Sequence, residues 1–152
     1  MILKEGPGDR MSTGSNMEIT CGCGHAFKAW IWQSANVTAA PELRETILKG
    51  DMNVVKCPSC GARFHVEIPF LYNDIKRQEW VWVYPAEYGS NPEDARAEIE
   101  EMWERISANM PPKIRQAVET NYKTMLLFGM DALVAYLRAR QESPAARRST
   151  ST

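Results

Sequence analysis

Cys57-Pro58-Ser59-Cys60-Gly61-Ala62-Arg63-Phe64 restates, with one residue more, a phrase met earlier as Cys21-Gly22-Cys23-Gly24-His25-Ala26-Phe27. Each reads Cys, a short spacer, Cys, Gly, two residues, Phe, and these four are the only cysteines of the 152-residue chain. Two thiolates one or two residues apart can grip the same ion. A glycine after the second Cys leaves room for the tight turn that points amide N–H groups at the sulfurs. Two such knuckles supply four soft ligands, the tetrahedral set of a structural zinc. Cys21, Cys23, Cys57 and Cys60 are therefore the expected metal ligands. Iron in a rubredoxin-like site is the other metal the donor set admits. Zinc is preferred because nothing in the chain suggests an electron-transfer partner. Four thiolates close the coordination shell, so the expected Zn2+ role is structural.

Working outward, the segments around the knuckles read as strands. Phe27 to Val37 is rich in strand formers around Trp30-Ile31-Trp32, and Phe64-His65-Val66-Glu67-Ile68 alternates until Pro69. Between them Pro41 opens a short helix, with Glu42 in its first turn and Gly50 as its stop. Phe70 to Tyr72 and Glu79 to Tyr84 flank Asn73-Asp74, a further hairpin. Asn91-Pro92-Glu93-Asp94 is a helix start, and Ile99, Met102, Trp103 and Ile106 follow at helical spacing. Pro111-Pro112 starts another helix, expected to carry Ile114, Val118, Tyr122, Met125 and Leu126 on one side. After Gly129 a last helix runs to about Arg140. The expected fold is α+β: a zinc-ribbon-like antiparallel β domain at 17–85 with a short helix, then a helical region at 90–141. Residues 1–16 read as a disordered leader, with Met11 and Met17 as alternative starts, and 142–152 as a solvated, disordered tail.

The region from Cys21 to Pro85 resembles the CpXC family. Beyond the cysteines, the resemblance rests on Asn36-Val37-Thr38, Pro41-Glu42-Leu43, Leu48-Lys49-Gly50-Asp51-Met52-Asn53 and Cys57-Pro58-Ser59-Cys60-Gly61. It continues through Pro69-Phe70-Leu71-Tyr72-Asn73-Asp74 and Trp82-Val83-Tyr84-Pro85, with Phe128-Gly129-Met130-Asp131 similar to the family's C-terminal extension. Cys21-Gly22-Cys23 is one residue shorter than the Cys-Pro-X-Cys form that names the family. The resemblance implies a zinc-ribbon-like domain and no catalytic activity.

Other chemistries find less support. Cys57-Pro58-Ser59-Cys60 alone is similar to a glutaredoxin-type redox pair, but such pairs open a helix, and here Gly61 and a strand follow. His25 and His65 lie near the knuckles as substitute ligands, with strand or surface positions as the ordinary explanation. Trp30 and Trp32 share one strand face, as do Trp80, Trp82 and Tyr84 on another. These ladders can stack nucleobases, or form a core beneath the later helices or a partner interface, which is the favoured reading. Residues 17–85 carry seven basic and seven acidic side chains, and 86–141 carry seven and nine, so no basic footprint accompanies the ladders. Glu98, Glu100, Glu101 and Glu104 interleave with the apolar stripe as a solvated helix face. No Walker loop, HExxH or GxSxG is present. No apolar run is long enough to span a bilayer, and no secretory signal is apparent. The functional expectation is a non-enzymatic, cytoplasmic zinc-binding module serving protein–protein interaction or self-association. A nucleic-acid-binding zinc ribbon is the alternative, and an enzyme built from dispersed polar residues is the third reading.

Overall fold

A computed structural model describes residues 12–142, with side chains through Arg140. Strands β1 (Gly14–Thr20) and β2 (Ala26–Trp32) form an antiparallel hairpin whose turn is the first knuckle. The second knuckle joins β4 (Val54–Lys56) and β5 (Arg63–His65), again antiparallel. Ile19, Ile31 and Val55 are buried between these hairpins, with Phe27, Phe64, Val66 and Ile68 packed around them. Gly14 must be glycine. A Cβ there would lie 2.8 Å from the Ile31 carbonyl oxygen and from the Trp30 indole nitrogen. The expected leader is corrected at this point: Gly14, Ser15 and Asn16 are strand residues, paired with Trp32, Ile31 and Trp30. Residues 1–11 and 143–152 lie outside the described residues, and Glu142 ends the last helix rather than opening a tail.

The second structural unit is a four-stranded sheet in the order β3 (Ser34–Asn36), β6 (Phe70–Asp74), β7 (Glu79–Tyr84), β8 (Lys123–Phe128). Here two expectations change. The sheet is mixed rather than antiparallel, because β3 runs parallel to β6 and β8 parallel to β7. And 90–141 is not all helical: β8 interrupts it and completes the sheet of the preceding region, so the break at 85–90 does not divide the fold. The expected helical side of Tyr122, Met125 and Leu126 ends at Asn121, and Tyr122 is already extended (φ −80°, ψ 142°).

The sheet is the middle of three layers. Period-two alternation sends Phe70, Tyr72, Val81 and Val83 to one face, where α1 (Pro41–Leu48) and α4 (Met130–Glu142) contribute Leu43, Ile47, Leu133 and Leu137. Leu71, Trp80, Trp82 and Tyr84 face the other way, towards Ala95, Ile99, Met102 and Trp103 of α2 (Pro92–Ala108) and Val118 of α3 (Pro112–Asn121). β8 feeds both layers, with Met125 and Leu127 on the first and Leu126 and Phe128 on the second. The β7 ladder is thus core beneath the helices, as favoured from sequence. Trp80 meets Trp103 edge to face, ring centroids 5.6 Å apart. α1 stops at Gly50, whose φ of +81° suits a residue without Cβ.

One ion pair is buried in this layered core. Glu79 at the start of β7 receives the Arg140 guanidinium and, at 2.5 Å, the Tyr136 hydroxyl, both from α4. Burial and that hydrogen bond push the Tyr136 hydroxyl up to about 12.

Candidate metal centre

The two knuckles close in the same way at different lengths. In the second, Cys57 N–H donates to the Ala62 carbonyl (2.8 Å) and Gly61 N–H to the Cys57 carbonyl (2.9 Å). In the first, Cys21 N–H donates to the His25 carbonyl and Gly24 N–H to the Cys21 carbonyl, both at 2.9 Å. Each ring is one residue smaller, which is how a one-residue spacer still makes a knuckle. The glycine after the second Cys has φ +97° at Gly24 and +81° at Gly61, a left-handed conformation that side chains rarely adopt. In both knuckles the first Cys is buried and the second exposed.

All four predicted cysteines come together, their sulfurs within 4.8 Å of one another. Cys21 Sγ lies 3.5 Å from Cys60 Sγ, and Cys23 Sγ 3.8 Å from Cys57 Sγ, each contact crossing between knuckles. A disulfide needs about 2.05 Å, so these are not bonded pairs. A tetrahedral ion with Zn–S bonds of about 2.3 Å has S···S edges of about 3.8 Å, close to the two contacts that cross between the knuckles. The chemistry of the donor set therefore fits a metal ion.

Electrostatics prepare one sulfur in particular. The Cys60 amide favours the Cys57 thiolate. With the Ser59 amide (3.4 Å) and the neighbouring thiols it outweighs burial and holds Cys57 down at about 6. At Cys21 the Cys23 amide works in the same sense, but burial and the thiols of Cys60, Cys23 and Cys57 prevail and push it up to about 11. Without metal the cluster favours one thiolate donated to by its neighbours; a bound cation takes the place of the remaining protons.

Neither histidine joins the cluster of candidate ligands. His25 is exposed and stacks on Phe27 at 6.1 Å. His65 is half-buried on β5, where burial lowers the pKa of its ring. The other residues of the sequence resemblance form joints. Asn53, at φ +58°, accepts from Trp32 N–H (2.8 Å) and donates to the Trp32 carbonyl (2.9 Å), so its side chain ties β2 to the start of β4. Asn36 Oδ1 accepts from the Thr38 and Ala39 amides at 3.1 Å, and Thr38 Oγ1 donates to Asp74 at 3.2 Å. Glu67 accepts from the Ala86 amide at 3.0 Å. Sequence reasoning missed these joints, although Asn in a Gly-Asp-Met-Asn run is a recognisable candidate for positive φ.

No helix among the described residues is long and apolar enough to cross a membrane. No curated protein and no solved structure matches the chain. The family described as "CpXC protein" matches residues 19–141, spanning both knuckles, the whole mixed sheet and nearly all of α4. That match extends beyond the Cys21–Pro85 region of the sequence resemblance and takes in β8, the strand that ties the helical region to the sheet. On these grounds the chain belongs to the CpXC family.

Proposed function

We propose that Cys21, Cys23, Cys57 and Cys60 hold one structural Zn2+, and that the protein is a non-enzymatic, cytoplasmic module that supports protein–protein interaction. The observation that carries the metal is the four-sulfur cluster, all four sulfurs within 4.8 Å of one another. Its role follows from what surrounds it. The two hairpins bury only Ile19, Ile31 and Val55 between them, too little apolar surface to hold two short ladders in water. A bound zinc supplies the missing free energy and, with four thiolates, presents no open position for an activated water. Four unbonded thiols suit a reducing compartment. The nucleic-acid reading loses its best stacking residues, since Trp80, Trp82 and Tyr84 lie under α2 and α3.

Elemental analysis of the purified protein should give about one zinc per chain, and the double variant Cys57→Ser/Cys60→Ser should give none. Full zinc occupancy in that variant refutes the ligand set, and a red iron-loaded protein replaces zinc by iron. Affinity purification of the zinc-loaded chain from its host tests the interaction role, and nanomolar binding to DNA or RNA at physiological salt would replace it.

A further inference from the structure

An open groove of about 740 Å³ lies between the sheet and the two middle helices. Ile99 and Trp103, both half-buried, form its accessible apolar side, over a floor of buried Trp80, Trp82 and Val118. Glu100, Glu101, Glu104 and Glu119 stand along it, and no Lys or Arg lines it. Glu119 is held in place by Trp103 Nε1 (3.0 Å) and Arg115 (3.1 Å). Glu100, Glu101 and Glu104 have no side-chain partner among the described residues, and all three are exposed.

We propose that this groove docks a basic amphipathic segment of a protein partner, with its apolar anchors and Lys or Arg stems against Ile99 and Trp103 and its charges among the four carboxylates. The proposal deepens the interaction role above and rests on it. Charge decides the sign of the occupant: Glu119 is already paired with Arg115, but the three exposed acids Glu100, Glu101 and Glu104 repel an acidic peptide or a nucleic acid and attract a cation. The half-buried Trp103 indole adds to this, because indole faces attract ammonium and guanidinium groups. Extent favours a peptide over a small ligand. Ile106, one helical turn beyond Trp103, is 36% exposed, and Ile114, one turn before Val118, is 52% exposed. Apolar surface thus continues past the cavity along both helix faces.

The test uses the zinc-loaded full chain and three synthetic probes: a Leu/Lys amphipathic helical peptide, its Leu/Glu counterpart, and oligolysine. Binding is read by calorimetry and by indole fluorescence. The Leu/Lys peptide should bind, more weakly as salt rises, while the other two bind at least about tenfold less well. Glu100→Gln/Glu101→Gln/Glu104→Gln should weaken that binding about tenfold with the melting temperature unchanged, since exposed carboxylates contribute little to folding. No binding of the Leu/Lys peptide, equal binding by the triple variant, or preference for the Leu/Glu peptide overturns the proposal. So does self-association that the triple variant abolishes, which makes a second copy the occupant. Host purification with the triple variant separates the two claims. If it retrieves the same partners as wild type, the groove fails and the interaction role stands; if wild type retrieves none, the interaction role itself fails.

Discussion

The two hairpins that carry the cysteines and the four-stranded sheet beside them solve the same problem by different means. Among the described residues the core between the hairpins holds three buried apolar side chains, whereas the cores on the two faces of the sheet, helix residues included, hold twelve and six. The sheet is held by layered packing, and every residue of β7 is buried. The hairpins have hydrogen-bonded ladders but little interior, so under the proposed function their cohesion comes from the metal that the four sulfurs hold. One chain would thus hold a region stabilised by burial next to a region stabilised by coordination, joined by the Glu67–Ala86 hydrogen bond and by the chain itself.

The comparison is broken most forcefully at the metal. Cys57→Ser/Cys60→Ser, or a strong chelator, should remove on the order of 10 kcal/mol from the hairpin region. Amide hydrogen exchange should show β1, β2, β4 and β5 losing protection while β6, β7 and β8 keep theirs. Simultaneous loss in β7 would mean that the two regions form one cooperative unit.

The next largest effect lies in the sheet. Arg140→Met leaves the Glu79 carboxylate buried with only Tyr136 and should cost about 3 kcal/mol in chemical denaturation. Adding Glu79→Gln should recover part of that loss, and zinc content should not change. Trp103→Ala should cost about 2 kcal/mol, near the lower end for a large-to-small change because the ring is half-buried. Its expected signature is loosened α2 with unaltered hairpin exchange; a mutant that stays fully stable and merely shifts towards monomer would place the ring at a chain–chain interface.

The smallest effect concerns pH. Burial holds the His65 imidazole below its usual 6.5, so the unfolded chain takes up that proton first. Stability is unaffected by this group above about pH 6.5 and declines as pH falls below it, until the folded-state pKa is passed. A zinc-loaded His65→Gln protein should show a shallower acid slope than wild type. An identical slope would mean that the ring is not desolvated.

The knuckles were legible because their signal is chemical: cysteines, spacing and the glycine that follows depend little on distant contacts. The β7 ladder and α1 were legible because alternation and the Pro41…Gly50 brackets act locally. β8 was not. A strand buried on both faces loses its alternation, and Thr124-Met125-Leu126-Leu127-Phe128 then reads as the continuation of the preceding helix, with Val118, Tyr122, Met125 and Leu126 at matching spacing. Pairing with β7, a non-local contact, decides against the helix. The start of β1 was missed for the opposite reason. Gly14-Ser15-Asn16 has the composition of a loop, and only the close approach of the Ile31 carbonyl and the Trp30 indole explains why a glycine belongs in that strand.

The parallel pairing of β7 with β8 also sets an order of events during synthesis. β7 leaves the ribosome with one hydrogen-bonding edge open, and its partner follows only after residues 85–122 have been made. At ordinary elongation rates that delay is about 2–8 s. Throughout it the nascent chain displays an unpaired, tryptophan-rich strand, the kind of edge that recruits chaperones or other nascent chains. The knuckles, complete by residue 64, can bind metal long before then. Under the proposed function, metal loading therefore acts on the first half of the chain, before the wait of β7 for its last strand.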